Sequence, residues 1–230
     1  AFDKHGFDYF TAEIFDSFYP GYGESWPTFQ GATGMTFEQA GVRGLQIKRS
    51  DERTLHFRDA IWHHFIAAMA TCEITAKHRA ERLRDFYLYH QTAIEEGRSG
   101  EIKEFIIQPG ERAPDVARLI DNLMLQEIEV HVADENFTAT DVHNYDGEFD
   151  YSKEFPKGSY IIRLDQPRKH LIQTLFEREA IIDEEFLKEE RERKASKRSS
   201  QIYDITSWSI PLAQGIEAYW TNRFTDVSLT

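Results

Sequence analysis

The 230-residue sequence predicts an α/β chain in two parts: part of a mixed sheet with a long helix, followed by a strand–helix–strand domain. Two observations predict this class. A helical pattern runs over residues 59–96. After it, a buried strand at 104–108, an amphipathic stretch at 113–126 and an alternating strand at 128–132 have the spacing of a βαβ unit. Such a unit implies a parallel sheet.

The elements of the first part follow from spacing and from turn residues. Residues 1–18 carry apolar side chains at helical intervals and predict a short helix. Residues 19–34, here called the aromatic loop, are rich in glycine, proline and aromatic residues and predict a packed loop. Residues 35–39 predict a strand, and 45–47 with 54–57 predict a hairpin. The apolar residues of the first helix are Phe7, Phe10, Ile14, Phe15 and Phe18.

The long helix carries a stripe that includes Ile61, Phe65 and Leu83. Cys72 lies in it and is expected to be a small buried filler. The Gly-Arg-Ser-Gly sequence that follows the helix predicts a domain boundary, which divides the chain into residues 1–98 and 101–230.

The second part continues after the βαβ unit with a polar excursion at residues 134–157. A strand at 159–164 and a helix at 165–177 follow. Residues 183–197 predict a charged, solvated helix, and no clear period is present beyond Tyr203.

Composition limits the partners. The net charge is -13, which repels nucleic-acid phosphates and anionic membranes, so neither is expected as a partner. One cysteine allows no intrachain disulfide. No apolar run approaches the roughly 20 residues of a membrane span. The sequence opens without methionine or a signal peptide, so a fragment of a longer protein is expected.

Two neighbouring stretches carry a family resemblance. Residues 18–27 read Phe-Tyr-Pro-Gly-Tyr-Gly-Glu-Ser-Trp-Pro, and residues 31–41 contain Thr-Phe-Glu. Together they resemble a bacterial subgroup of carboxypeptidase A-like zinc peptidases with a carboxy-terminal amidotransferase-like domain. Further similar stretches are residues 85–97, 159–167 and 203–212. The resemblance implies that residues 1–98 are the last part of the peptidase domain, and that residues 101–230 are an incomplete accessory domain with a flavodoxin- or amidotransferase-like fold.

The resemblance assigns site residues by position. Glu38 matches the glutamate of the family's Thr-Phe-Glu strand, which acts as general base. Tyr22 and Tyr19 are both candidates for the mobile tyrosine that covers the substrate, although their spacing fits the family's usual pattern only with a gap. Tyr22 is taken as the catalytic candidate and Tyr19, with Trp26, as substrate-binding. The ordinary alternatives are a solvated carboxylate and core aromatic packing.

The zinc ligands that the family places upstream of the glutamate are missing. Only His5 precedes Glu38, and the single His-x-x-Glu, from His78 to Glu81, lies downstream of it. We interpret that pair as a chance match on a charged helix surface. A catalytic zinc needs three protein ligands, so none is expected in this chain and zinc is expected only in the intact parent. The other histidines without a ligand set are His56, His63, His64, His143 and His170.

The sequence therefore predicts a zinc-dependent metallocarboxypeptidase-like hydrolase of peptide or amide bonds, inactive as this fragment alone. The alternative is a non-catalytic protein that binds a peptide or glycan through Tyr19, Tyr22 and Trp26. A third possibility, an inactive amidotransferase-like interaction domain, rests only on the βαβ pattern. The resemblance favours a periplasmic or secreted protein over a cytoplasmic one, and leaves a homo-oligomer open.

Overall fold

The computed structural model describes residues 1–11 and 17–230. The chain is a mixed α/β protein whose larger sheet is antiparallel. A 3-10 turn, Gly110–Arg112, precedes the fifth helix. The helices in these residues are α1 (Phe2–His5), α2 (Ser25–Thr28), α3 (Phe57–Lys77), α4 (Arg79–Ser99), α5 (Ala113–Leu125), α6 (Lys169–Phe176), α7 (Glu184–Ala195) and α8 (Ile210–Gln214).

The strands form a two-stranded and a six-stranded sheet. The first two strands make the small hairpin, as predicted. The others form one sheet in the order β4-β7-β3-β8-β5-β6. The strands are β1 (Gln46–Lys48), β2 (Thr54–His56), β3 (Glu104–Ile107), β4 (His131–Val132), β5 (Phe137–Asn144), β6 (Phe149–Phe155), β7 (Tyr160–Arg163) and β8 (Ala218–Thr221).

The strand–helix–strand unit is present, but its pairing differs from the prediction. Both β3 and β4 pair antiparallel with β7, so they point the same way with β7 between them. The expected direct parallel pairing was wrong, and the sheet departs from the parallel order of a flavodoxin-like fold. The spacing of strand, helix and strand determines that β3 and β4 run in the same direction. It does not prevent a strand from later in the sequence, here β7, from pairing between them.

Hydrophobic side chains cover both faces of the large sheet. Along β3, Phe105 and Ile107 join one core cluster and Ile106 joins the other, as alternation along a strand requires. The first cluster is covered by α5 and α6. The second receives Val227 and Leu229 from the carboxy-terminal segment. The apolar residues of α5, which predicted that helix, are buried: Val116, Leu119, Ile120 and Leu123.

Three strands in the second half were not predicted. The supposed polar excursion is the β5–β6 hairpin, in which the buried residues of β5 alternate with exposed ones. Strand β8 lies beside β3 in the middle of the sheet, although its sequence had no clear period. Helices α6 and α7 confirm the predictions, and α7 buries no residue.

The amino-terminal half is less regular than predicted. Helix α1 is one turn that ends at Gly6, whose φ of 66° is left-handed. The rest of the predicted helix is not formed at Phe7 or Phe10, while Ile14 and Phe15 lie outside the described residues. The predicted strand at residues 35–39 has no regular structure, because none of the strands in the described ranges lies beside it to complete its hydrogen bonds.

The predicted long helix is two helices that meet at His78. Much of their apolar stripe is exposed, with Leu83 at 71%. Cys72 is also exposed, so its prediction as a buried filler was wrong. In residues 1–11 and 17–230, no helix combines the length and apolarity needed to cross a membrane.

Helix α4 is joined to the second half at Gly97. This buried glycine lies so close to β7 that an added Cβ would sit 1.9 Å from the carbonyl oxygen of Leu164. Only a residue without a side chain fits, so Gly97 sets how closely α4 approaches the sheet.

Replacing Gly97 by alanine is expected to lower the free energy of unfolding by about 1–3 kcal/mol or more through overpacking. In a helix without this contact, the same change raises stability by roughly 0.5–1 kcal/mol. The two effects have opposite sign, and thermal unfolding followed by circular dichroism separates them. Gly41→Ala, in an irregular segment, is the control for adding a methyl group without overpacking, because an added Cβ there meets no atom within 4 Å. A Gly97→Ala protein as stable as the wild type would contradict this packing.

Candidate functional site

Glu38 lies in the irregular segment after the aromatic loop, with its side chain exposed. It lines a cleft of about 480 Å³ between the amino-terminal segment and α3. Among residues 1–11 and 17–230, the Glu38 carboxylate has no hydrogen bond or ion pair. A carboxylate without a partner, at the wall of a cleft, is able to accept a proton from a bound molecule.

The cleft combines cationic and aromatic groups. Arg53 lines it and is paired with Asp8, at 2.7 Å between Nη1 and Oδ2, and with Asp51, at 3.4 Å between Nε and Oδ2. A guanidinium has five N–H donors, so these two pairs still leave donors for an incoming anion. Phe37, beside Glu38, is 45% exposed and contacts the ring of Phe2 edge-on. The cleft therefore offers groups that suit an apolar side chain and a carboxylate.

The residue next to Glu38 is fixed to α3. His63 Nδ1 lies 2.8 Å from Gln39 Oε1, which accepts its hydrogen bond. The ring of Phe7 packs on His63 with centroids 4.3 Å apart. These contacts hold the backbone beside Glu38 against the helix while its own side chain stays exposed.

Tyr22 lies outside this cleft, against the second half of the chain. Its hydroxyl donates to Asp204 Oδ1 at 2.8 Å, and this bond, with partial burial, raises the pKa of Tyr22 to about 12. Asp204 Oδ2 accepts the backbone N–H of Tyr19 at 3.0 Å and that of Phe18. Burial opposes the ionised form of Asp204, but these hydrogen bonds outweigh it and keep its pKa below the ordinary value. The ring of Tyr19 packs on Trp208 with centroids 6.3 Å apart.

Trp26 is also held by the second half. Its indole nitrogen donates to Gln126 Oε1 at 3.3 Å, and the Gln30 amide donates to the same oxygen at 3.1 Å. With Phe29, Trp26 packs against the core cluster under α5 and α6. The described lining of the Glu38 cleft includes none of Tyr19, Tyr22 and Trp26.

The histidines fall into separate local contacts. His78 and Glu81 form an exposed pair, with Nδ1 and Oε1 3.6 Å apart. His143 Nε2 lies 2.8 Å from Asn222 Oδ1. His170 lies 3.6 Å from Glu96, and burial, with the nearby Lys169, lowers its pKa. In the part of the chain that the structure describes, His, Cys, Asp and Glu side chains form no group of three that could hold a metal ion. These residues therefore do not fit a zinc site.

Sequence reasoning missed Asp204, Gln126 and Arg53. Asp204 lies in one of the stretches that carry the family resemblance, yet a single aspartate has no local pattern that reveals its partners. Those partners lie 182 to 186 residues away. The only sign of this role in the sequence is that Asp204 is a single carboxylate in a stretch of apolar and hydroxyl-bearing residues.

Comparison with known proteins gives no relative for this chain. No protein-family model, curated protein or solved structure matches it. The function is therefore inferred from the residues and their geometry.

The hydrogen bonds to Asp204 predict a pH dependence of stability. Because its folded-state pKa lies below 3.8, its contribution is present above that value and lost as pH falls through the lowered pKa. The difference in melting temperature between wild type and Asp204→Asn should be largest near about pH 6 and shrink progressively as the pH falls below about 4. Thermal unfolding across this range measures it. Asp121→Asn, at an exposed position on α5, is the control and should show no such trend. A constant difference at every pH would contradict the ionised contact.

Proposed function

We propose that this chain contributes the general base, Glu38, to a metallocarboxypeptidase-like hydrolase of peptide or amide bonds. The observation that carries the proposal is the exposed Glu38 carboxylate, without a partner among the described residues, at the wall of a cleft that also holds arginine and aromatic side chains. The resemblance of the aromatic loop and the Thr-Phe-Glu sequence to such peptidases supports the same role.

Glu38 would move one proton during hydrolysis. As a water molecule attacks the carbonyl carbon, the carboxylate accepts a proton from that water. The carbon–nitrogen bond then breaks, and the proton passes to the leaving nitrogen. The products are an acid and an amine. Arg53 would bind an anionic group of the substrate, and Phe37 an apolar one.

The proposal places no metal ligand in the described residues, since they do not fit zinc. In the family that the chain resembles, the metal would polarise the carbonyl and activate the water. Its ligands would come from polypeptide outside these residues, and residues 1–98 would form the last part of a carboxypeptidase-like domain. The remainder of such a domain would also cover the exposed apolar stripe on α3 and α4.

A non-catalytic peptide- or glycan-binding protein is the second candidate. It is favoured by the aromatic side chains that stay exposed at the cleft, Tyr9 at 51% and Phe10 at 71%. Binding through Tyr19, Tyr22 and Trp26 is not favoured, since these half-buried side chains are held by contacts with the second half of the chain. This candidate would bind through the cleft instead.

Glu38→Gln tests the first candidate, because an amide of the same shape cannot accept the proton. In protein expressed from its whole reading frame, kcat/KM for amino-terminally blocked peptides is expected to fall by roughly 10²- to 10⁴-fold. Zinc, measured by mass spectrometry, should be stoichiometric in wild type and variant alike. Glu73→Gln, an exposed glutamate on α3, is the matched control and should keep full activity.

Full activity in Glu38→Gln would contradict the role of Glu38. Peptide binding without hydrolysis by the wild type, unchanged in Glu38→Gln, would instead support the binding protein.

A further inference from the structure

Asp204 connects two parts of the chain that are far apart in sequence. It lies in an irregular segment of the second half, just before Trp208. Its carboxylate accepts hydrogen bonds from the backbone N–H groups of Phe18 and Tyr19 and from the hydroxyl of Tyr22. Three donors from one end of the aromatic loop therefore converge on a single side chain.

Ring contacts and a second polar contact strengthen this attachment. The rings of Phe18 and Trp208 pack edge-on, with centroids 5.1 Å apart. Trp208 is itself fixed, because its indole nitrogen donates to the Thr174 carbonyl at 2.9 Å. Further along the loop, Trp26 bonds to Gln126. The loop is thus held at two places on the second half.

The aromatic loop also fixes the start of the segment that leads to Glu38. The backbone of Gly34 lies so close to Glu24 that an added Cβ would sit 2.3 Å from the Glu24 carbonyl oxygen. The Thr28 hydroxyl donates to that same oxygen at 2.8 Å. A shallow surface formed by Gly34, Phe37 and their neighbours continues from this contact. A displacement of the loop would therefore be passed to the segment that carries Glu38.

We propose that Asp204 is a positioning residue, which fixes the aromatic loop on the second half and thereby, together with the Gln39–His63 contact, sets the position of Glu38 at its cleft. This inference rests on the proposed role of Glu38. It gives residues 101–230 a function, the support of the catalytic segment. It also changes the role of Tyr22, which holds the loop through Asp204 and does not move to cover a substrate.

The test compares Asp204→Asn with wild type in protein expressed from its whole reading frame. The amide keeps the shape of the side chain but loses its charge and one acceptor oxygen. Hydrogen–deuterium exchange in residues 18–26 is expected to speed up on the order of tenfold. With a blocked peptide substrate, kcat should fall by about tenfold or more while KM stays within about twofold. Asp121→Asn should leave exchange and rates unchanged.

Tyr22→Phe and the double variant complete the test. Since Tyr22 acts through Asp204, the losses of kcat should not add in the double variant. Additive losses would overturn this role of Tyr22. Unchanged exchange in Asp204→Asn would overturn the attachment, and faster exchange with unchanged kcat would overturn the positioning role.

The exchange measurement also separates this inference from the assignment of the base. Glu38→Gln alters no contact of the loop, so its exchange in residues 18–26 should match the wild type. If Glu38 is not the base, Glu38→Gln keeps full activity. If Asp204 does not hold the aromatic loop, hydrogen–deuterium exchange in residues 18–26 is unchanged in Asp204→Asn.

Discussion

The buried central strand β3 is the element on which the rest of the structure depends. All four of its residues are buried, and it pairs with β7 on one side and β8 on the other. At its start, burial raises the pKa of Glu104, and one carboxylate oxygen accepts the N–H of Thr225 at 3.0 Å. The strand therefore holds both core clusters together and anchors the carboxy-terminal segment.

The amino-terminal half is attached to this sheet domain at a few places. Gly97 brings α4 against Leu164, Gln126 binds the side chain of Trp26, and Asp204 binds the start of the aromatic loop. A hydrogen bond to a charged group contributes about 1.5–3 kcal/mol, against about 0.5–1.5 for a neutral one. Asp204 accepts several such bonds, and the ion pair between Glu96 of α4 and Lys169 of α6, 3.0 Å from Oε2 to Nζ, is a further polar attachment. Much of the apolar stripe on α3 and α4 remains exposed. The Glu38 segment is positioned by the aromatic loop on one side and by the Gln39–His63 contact with α3 on the other.

The sequence predicted what short-range patterns determine. Helices α5, α6 and α7 were predicted, since helical spacing of apolar or charged residues is a local signal. Strand β8 was missed because its residues show no clear alternation and its partner β3 lies more than 100 residues earlier. The prediction of a strand at residues 35–39 was wrong because a strand needs a neighbouring strand, and the sequence of a segment does not show whether it has one. For the site, the role of Glu38 stays a prediction, because its exposure fits both a reactive carboxylate and an ordinary solvated one. The partner of Tyr22 is 182 residues away and was not predictable from the motif.

The central claim is that the second half of the chain holds the start of the aromatic loop. A nuclear Overhauser spectrum of the protein with labelled aromatic residues tests it most directly. Ring centroids of Phe18 and Trp208 lie 5.1 Å apart, close enough for cross-peaks between their ring protons. The account predicts these cross-peaks, together with others between Tyr19 and Trp208. Their absence, in a spectrum where the Phe105–Phe176 pair of the core gives cross-peaks, would contradict it.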